Sequence, residues 1–198
     1  LSTSESFTLT FNNINDAPTV DTIANETIFE DDELILTVSG SDVDLNDSIT
    51  FSATVDQGAT ASTEGDQVTI VPNEDFNGSI QVNIIATDLS GETGESTFIL
   101  TVLPVNDAPI VDAIDDQNTN EDQVFTLEIS AIDPDLGDIL TYSASANENA
   151  LASVDGSTLT VTPDLNYAQS VIITVIASDG NLSTSESFTL TFNNINDA

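Results

Sequence analysis

No lysine, arginine or histidine occurs among the 198 residues, and cysteine, methionine and tryptophan are missing as well. Without His, Cys or Lys there is no usual general base, thiol nucleophile or Schiff-base former, so catalysis would rest on carboxylates alone. Without cationic side chains the chain has nothing to set against a phosphate backbone or an anionic bilayer, which excludes nucleic acid and anionic membrane surfaces as partners. No apolar run is long enough to span a bilayer, and no basic, apolar leader is present. Lacking cysteine fits a cytosolic protein or an exported one that does without disulfides. The joint loss of trypsin sites and of the most oxidisable side chains suits long residence outside a cell.

What the chain does hold is 35 Asp and Glu residues, for a formal charge of −35. Crowded carboxylates within about 5 Å of one another repel by roughly 3 kcal/mol per pair at an effective dielectric near 20. Relief can come only from backbone N–H groups, hydroxyls, amides, water or metal, and hard divalent cations are the natural candidates. A hydrophobic share of 39% is ordinary for a globular protein and argues against intrinsic disorder.

The chain repeats itself. Leu1 to Ala17 and Leu182 to Ala198 are the same seventeen letters, LSTSESFTLTFNNINDA, and Asn15-Asp16-Ala17-Pro18 returns 91 residues on as Asn106-Asp107-Ala108-Pro109. At that spacing Glu30-Asp31 falls on Glu121-Asp122, and Asp42, Asp44 and Asp47 fall on Asp133, Asp135 and Asp138. Phe51 likewise falls on Tyr142, Pro72 on Pro163, Phe76 on Tyr167 and Asp88 on Asp179. Fixed-period self-similarity of this kind marks tandem modules. The expected division is residues 1–15 as the terminal strand of a preceding repeat, 16–106 as the first domain and 107–198 as the second. The chain reads as a stretch of a longer array.

Short segments of period-two alternation separated by turn residues predict strands near Glu33 to Val38, Ser48 to Thr54, Gln67 to Val71, Ser79 to Thr87 and Ser96 to Leu103. Phe7, Leu9 and Phe11 alternate with Thr8 and Thr10 in the same manner. Turns are expected at Asp56-Gln57-Gly58, Glu64-Gly65-Asp66, Asn77-Gly78 and Ser90-Gly91. No stretch shows a helical period. About seven strands per ninety residues predict an all-β chain of two tandem seven-stranded Greek-key β-sandwich domains of cadherin or Ig-like type in a linear array.

Three acidic clusters recur in each unit: Glu-Asp before the second strand, Asp-x-Asp-x-x-Asp after it, and Ala-x-Asp at the end of the sixth. Turn chemistry and solubilising charge account for single acidic residues, but poorly for three clusters in register with no cation nearby. Asp42-Val43-Asp44-Leu45-Asn46-Asp47 has the opening of an EF-hand loop, yet position six is not Gly and position twelve is Ala53, so that motif is rejected.

With Asn-Asp-Ala-Pro at 15–18 and 106–109, Ala131-Ile132-Asp133-Pro134-Asp135, Pro72-Asn73-Glu74-Asp75-Phe76-Asn77-Gly78 and Ala177-Ser178-Asp179-Gly180, nearly the whole chain resembles the cadherin repeat. It is most similar to the bacterial cadherin-like repeats of large surface adhesins. In that family the corresponding residues ligate calcium between consecutive domains. The resemblance implies Ca²⁺ as cofactor and an inter-module site built from Glu30, Asp31, Asp75, Asn106, Asp107, Asp133, Asp135 and Asp179. It implies an equivalent half-site from Asn15, Asp16, Asp42, Asp44 and Asp88, and another from Glu121, Asp122 and Asp164. Asp47 and Asp138 complete the acidic triplets as further candidate ligands. Pro104 and Asn13 replace the acidic residue that opens the family's linker motif, and Asn166 stands opposite Asp75, which implies fewer ions per junction than in animal cadherins.

The expected role is that of calcium-stiffened spacer modules in a secreted bacterial surface adhesin, with neighbouring repeats as partners and no enzymatic activity. Two alternatives stand beside it: a calcium-dependent adhesive module that binds polysaccharide or itself, and a filament subunit that joins chains by exchanging its N-terminal strand.

Overall fold

The computed structural model describes residues 3–10, 14–44 and 47–196. Phe11 and Asn13 of the expected N-terminal strand and linker, and Leu45 and Asn46 of the first acidic loop, lie outside them. The chain divides into two compact units, Leu1–Val105 and Asn106–Ala198, and all regular structure among the described residues is β.

The first unit runs β1 (Thr19–Val20), β2 (Glu26–Phe29), β3 (Leu34–Thr37), β4 (Gly40–Ser41), β5 (Thr50–Val55), β6 (Ala59–Glu64), β7 (Gln67–Pro72), β8 (Gly78–Thr87) and β9 (Thr93–Leu103). One sheet has the order β2-β9-β8-β5 and the other β3-β7-β6, while β1 and β4 form a two-residue ladder of their own. The second unit repeats this with β10 (Ile110–Val111), β11 (Gln117–Asn120), β12 (Phe125–Glu128), β13 (Ala131–Ile132), β14 (Thr141–Ala146), β15 (Ala150–Asp155), β16 (Thr158–Pro163), β17 (Ser170–Ser178) and β18 (Ser183–Asn193). Its sheets are β11-β18-β17-β14 and β12-β16-β15. In each unit the first long strand pairs parallel with the last, β2 with β9 and β11 with β18, and the other ladders are antiparallel. Seven principal strands in two sheets make each unit the expected sandwich.

Alternation builds the cores. Along β8, Ile80, Val82, Ile84 and Ala86 are wholly buried while Gln81 is exposed, because successive side chains of a strand point to opposite faces. Phe98, Leu100 and Val102 of β9 meet them, with Val68 and Ile70 from the facing sheet. In the second unit Val171, Ile173 and Val175 of β17 pack with Phe188, Leu190 and Phe192 of β18 and with Leu159 and Val161. The β6–β7 and β15–β16 hairpins turn through two residues, with Gly65 and Gly156 at φ 62° and 60°, a left-handed conformation that glycine adopts without steric cost.

Two sequence expectations are corrected. The turn assigned to Asn77-Gly78 lies a few residues earlier, where Phe76 N–H bonds to the Asn73 carbonyl. Asp75 takes φ 55° there, and Gly78 opens β8. Two strands lie outside the predicted segments, β2, which is only four residues long with Ile28 and Phe29 side by side, and β6. β6 reads Ala-Thr-Ala-Ser-Thr-Glu and half-buries only its small residues, so periodicity in large side chains could not reveal it. Thr3–Thr10, expected as part of the terminal strand of a preceding repeat, pairs with no sheet of these two units, and Phe7 and Leu9 are 89% and 65% exposed. The same letters in β18 bury Phe188 and Leu190 to 3% and 0%. Alternation specifies a strand only where a sheet is at hand to receive it.

That contrast sets a test. Phe188→Ala should destabilise the second unit by about 3 to 5 kcal/mol through loss of core packing, whereas Phe7→Ala should leave urea unfolding of the dilute chain unchanged. Equal losses in both variants would show that the N-terminal segment is packed.

Candidate metal centre

Each unit places acidic side chains at two opposite ends. In the first, Asp42, Asp44 and Asp47 lie in the β4–β5 connection and Asp88 directly follows β8, whose last residue Thr87 pairs with Thr50 at the start of β5. Glu30 directly follows β2, and its carboxylate accepts from Asn77 Nδ2 (3.3 Å) just before β8 begins. The ten residues of β8 therefore separate the two groups by about 30 Å at the usual rise per residue.

The upper group is tied together by hydrogen bonds, most of which recur in the second unit. Asn15 Nδ2 donates to Asp88 Oδ2 and Asn106 Nδ2 to Asp179 Oδ2, both at 2.8 Å. Asp16 N–H donates to Asp44 Oδ2 at 2.8 Å, and Asp107 N–H to Asp135 Oδ2 at 2.7 Å. Asp44 N–H donates to Asp42 Oδ1 and Asp135 N–H to Asp133 Oδ1. Backbone N–H groups of Ser90 and Glu92 converge on Asp88 Oδ1, and those of Asn181 and Leu182 on Asp179 Oδ1. With no cation in the chain, the Asn-Asp segment of each unit supplies the donors that let these carboxylates approach.

One oxygen in each network is left over. Asp42 Oδ2 and its counterpart Asp133 Oδ2 are both shut off from solvent and without a hydrogen-bond partner. Carboxylate oxygens of Asp42, Asp47 and Asp88 come within 4.8 Å of one another, as do those of Asp133, Asp135 and Asp138. A buried carboxylate oxygen with neither donor nor cation is costly, and the same atom is stranded in two units whose cores differ. The donor set is all hard oxygen in flexible loops, the chemistry calcium prefers over softer metals. The residues present fit a calcium ion.

The protonation tendencies follow from the same contacts. Asp88 sits below the ordinary carboxylate range, chiefly because of the Asn15 amide and then the N–H groups of its loop, against the opposing effect of desolvation. Asp179 is lowered in the same way, first by Asn106. Asp138 is raised, first by desolvation and then by the charges of Asp133, Asp135 and Asp179. A cation drawn to this group would reverse that last effect.

The lower groups differ in character. Glu30 and Glu121 are 2% and 1% exposed. Glu30 Oε1 accepts from Val105 N–H and Glu121 Oε1 from Ile195 N–H, so each buried carboxylate anchors the segment that leaves its unit. Asp31 and Asp122 stand exposed beside them with φ 67° and 59°, a left-handed conformation that Asp tolerates better than most residues. Asp31, Asp75 and Asp122 join no group of three converging carboxylates among the described residues. Asp122 instead accepts from Asn166 N–H, and Asp164 is an exposed turn residue whose N–H bonds to the Asn149 carbonyl. Sequence reasoning missed Asn77, read only as a turn former, and Asn181, whose amide donates to Asn106 Oδ1. Their sole signal was their place beside acidic motifs.

The family model for the bacterial Ig domain matches residues 15–101 and again 106–193. The chain belongs to that family. Among solved structures, the two-unit bacterial Ig chain is similar to human protocadherin-24 EC1-2, at 14% identity and TM-score 0.50, over 92% of this chain and all of that one. It is also similar to mouse cadherin-23 EC22-24, at 20% identity and TM-score 0.49, over 93% of this chain and 68% of that one. An endo-fucoidan hydrolase of glycoside hydrolase family 107 aligns at 18% identity and TM-score 0.40, and the chain spans only 30% of its length. No curated protein matches. At such identities the protocadherin likeness shows the fold alone: a tandem of Ig-like and cadherin-like sandwiches, a kind of repeat that is typically non-enzymatic. No helix among the described residues is long and apolar enough to cross a membrane.

The Asn-to-Asp bonds give a pH test without metal. Replacing Asn106 with Ala in chelator should raise the Asp179 pKa, read from its carboxyl carbon by NMR titration. Because the folded value lies below the unfolded one, this contact stabilises fully above the unfolded pKa and is lost as pH falls through the folded value. The variant should accordingly be less stable than the parent at neutral pH and converge with it below both values; an Asp179 titration that does not move would mean that the amide is not the cause.

Proposed function

We propose that the chain is a pair of calcium-binding extender repeats from an extracellular bacterial surface adhesin, stiffened where one repeat follows another. The observation that carries this reading is the matched pair of buried, partnerless oxygens, Asp42 Oδ2 and Asp133 Oδ2, in a chain that owns no cation. In the first unit Asp42, Asp44, Asp47 and Asp88 would hold the ion, with Asn15 and Asp16 closing the loop over it. In the second, Asp133, Asp135, Asp138 and Asp179 would do so with Asn106 and Asp107. Glu30 supports a role at the junction because it anchors Val105, whose next residues in sequence are Asn106 and Asp107. Asp31 and Asp75 from the first repeat would complete that site from loops, and Glu121 and Asp122 would offer the corresponding group to a following repeat.

When bound, calcium supplies charge neutralisation and six to eight oxygen contacts; the chain's residues supply the rest. The Asn amides fix Asp88 and Asp179, the loop N–H groups orient the remaining carboxylates, and the buried glutamates hold the exit segments. Extracellular modules bind calcium in the range of about 10⁻⁴ to 10⁻³ M, so such a site fills in seawater or tissue fluid and stays empty in cytosol. A polysaccharide-binding role has less support, because carbohydrate sites use exposed aromatic platforms and only Phe7 and Phe29 are strongly exposed among the described aromatics.

Small-angle scattering and thermal unfolding, in calcium and then in chelator, test the proposal. At ten times the dissociation constant each site should add about 1.4 kcal/mol, which for domains of this size raises the midpoint by roughly 5 to 10 °C. The scattering profile should change from one fixed arrangement to a distribution as calcium is withdrawn. Asp42→Asn should abolish binding in the first unit alone and Asp133→Asn in the second alone, counted by calorimetry. Identical profiles and midpoints with and without calcium would overturn the reading.

A further inference from the structure

A single Asn-Gly pair occurs in the chain, Asn77-Gly78, and it lies where the first unit holds its buried glutamate. Both residues are exposed, at the point where the Asn73–Phe76 turn passes into β8. Gly78 has φ 138°, and a Cβ built on it would meet only the Phe76 ring, at 3.6 and 3.9 Å, so the space beside this peptide bond is open. Asn77 Nδ2 donates to Glu30 Oε2 at 3.3 Å. Glu30 is 2% exposed, and its other oxygen accepts from Val105 N–H. In the second unit the aligned residues are Ala168 and Gln169, beside the equally buried Glu121.

We propose that Asn77 is a self-modifying site, which deamidates through Gly78 and so turns the donor that faces Glu30 into a carboxylate. The Gly78 nitrogen attacks Asn77 Cγ and closes a succinimide ring; the Cγ–Nδ2 bond breaks, and Nδ2 leaves as ammonia with the proton that Gly78 gives up. Water then opens the ring at either carbonyl, giving Asp at position 77 or its β-linked isomer. Only water is consumed, and nothing is oxidised or reduced. Glycine suits the step because it puts no side chain beside the attacking nitrogen and leaves the backbone free to bring that nitrogen toward Cγ.

The product changes the end of the first unit. Glu30 Oε2 loses the Asn77 donor and meets a second negative charge in its place, where a buried carboxylate depends on its partners. The β-linked isomer also adds one methylene to the backbone just before β8, whose first residue Gly78 pairs with Val102. Val105, held by the same glutamate, is the last residue of its unit, so the change reaches the segment by which the chain leaves that unit. The second unit has alanine at the aligned position, lacks this chemistry and serves as an internal reference. The conversion needs no metal and is independent of the extender reading.

The test holds the full chain and a synthetic peptide of its residues 74–81 in warm neutral buffer with chelator, below the unfolding midpoint. Glu-C digestion and mass spectrometry follow the amide-to-acid conversion, and isoaspartyl methyltransferase labelling counts the β-linked product. The expected result is conversion of Asn77 in the folded chain at a rate within severalfold of the peptide's, while Asn83 in the same fragment, Asp75–Glu92, keeps its amide. Asn77→Gln retains an amide but would have to close the larger glutarimide ring, and should not convert. Asn77→Asp should speed hydrogen exchange of the Val105 amide severalfold and leave that of Ile195, its counterpart bonded to Glu121, unchanged. A folded chain still intact when the peptide has wholly converted would overturn the proposal, as would an Asn77→Asp chain whose Val105 exchange matches the parent's.

Discussion

A carboxylate removed from water needs something positive beside it, and this chain has only its own amides to offer. That constraint orders each unit. Asn15 and Asn106 point their amides at Asp88 and Asp179, and backbone N–H groups crowd around the same acids. The segment between units is drawn against the loops in the process. Where the amides run out, an oxygen is stranded, at Asp42 and again at Asp133. The hydrophobic cores would form without any of this, but the ends of the sandwiches would not be closed.

The two units show which parts of the design tolerate change. Core and turn positions differ between them: Phe51 against Tyr142, Phe76 against Tyr167, Gly58 against Asn149 at φ 64° and 51°. The polar network at the upper end keeps its main bonds, with Asn15 and Asn106 donating to Oδ2 of Asp88 and Asp179 and the N–H groups of Asp16 and Asp107 to Oδ2 of Asp44 and Asp135, and differs at its edge, where Leu89 N–H donates to Asp47 in the first unit and the Asn181 amide to Asn106 in the second. Packing accepts any set of side chains of suitable volume, whereas a network in which neutral N–H donors must serve crowded carboxylates has few solutions, since each unmet group is expensive.

Much of this was legible in the sequence, and the limits were physical. The long strands β8 and β17 and the acidic register could be read because large apolar residues alternate and acidic ones recur at one spacing. β6 escaped because its inward residues are alanines, and the Asn73–Phe76 turn escaped because the more familiar Asn-Gly pair stood next to it. Asn15 and Asn106 were marked as candidate ligands, but their donation to Asp88 and Asp179 depends on loops that meet only in the folded unit. The sharpest limit is Phe7 against Phe188: identical surroundings in sequence, opposite surroundings in space.

The parallel pairing of each unit's first long strand with its last also bears on mechanics. In the first unit the chain enters at the end where Asp16 bonds Asp44 and departs at the end where Val105 bonds Glu30. A pull on the two ends therefore loads the four-pair ladder of β2 and β9 along its length, so that its bonds bear the force together and cannot be opened one at a time as in a zipper. A sandwich wired this way resists tension through shear, a useful property for anything that tethers one body to another in flow.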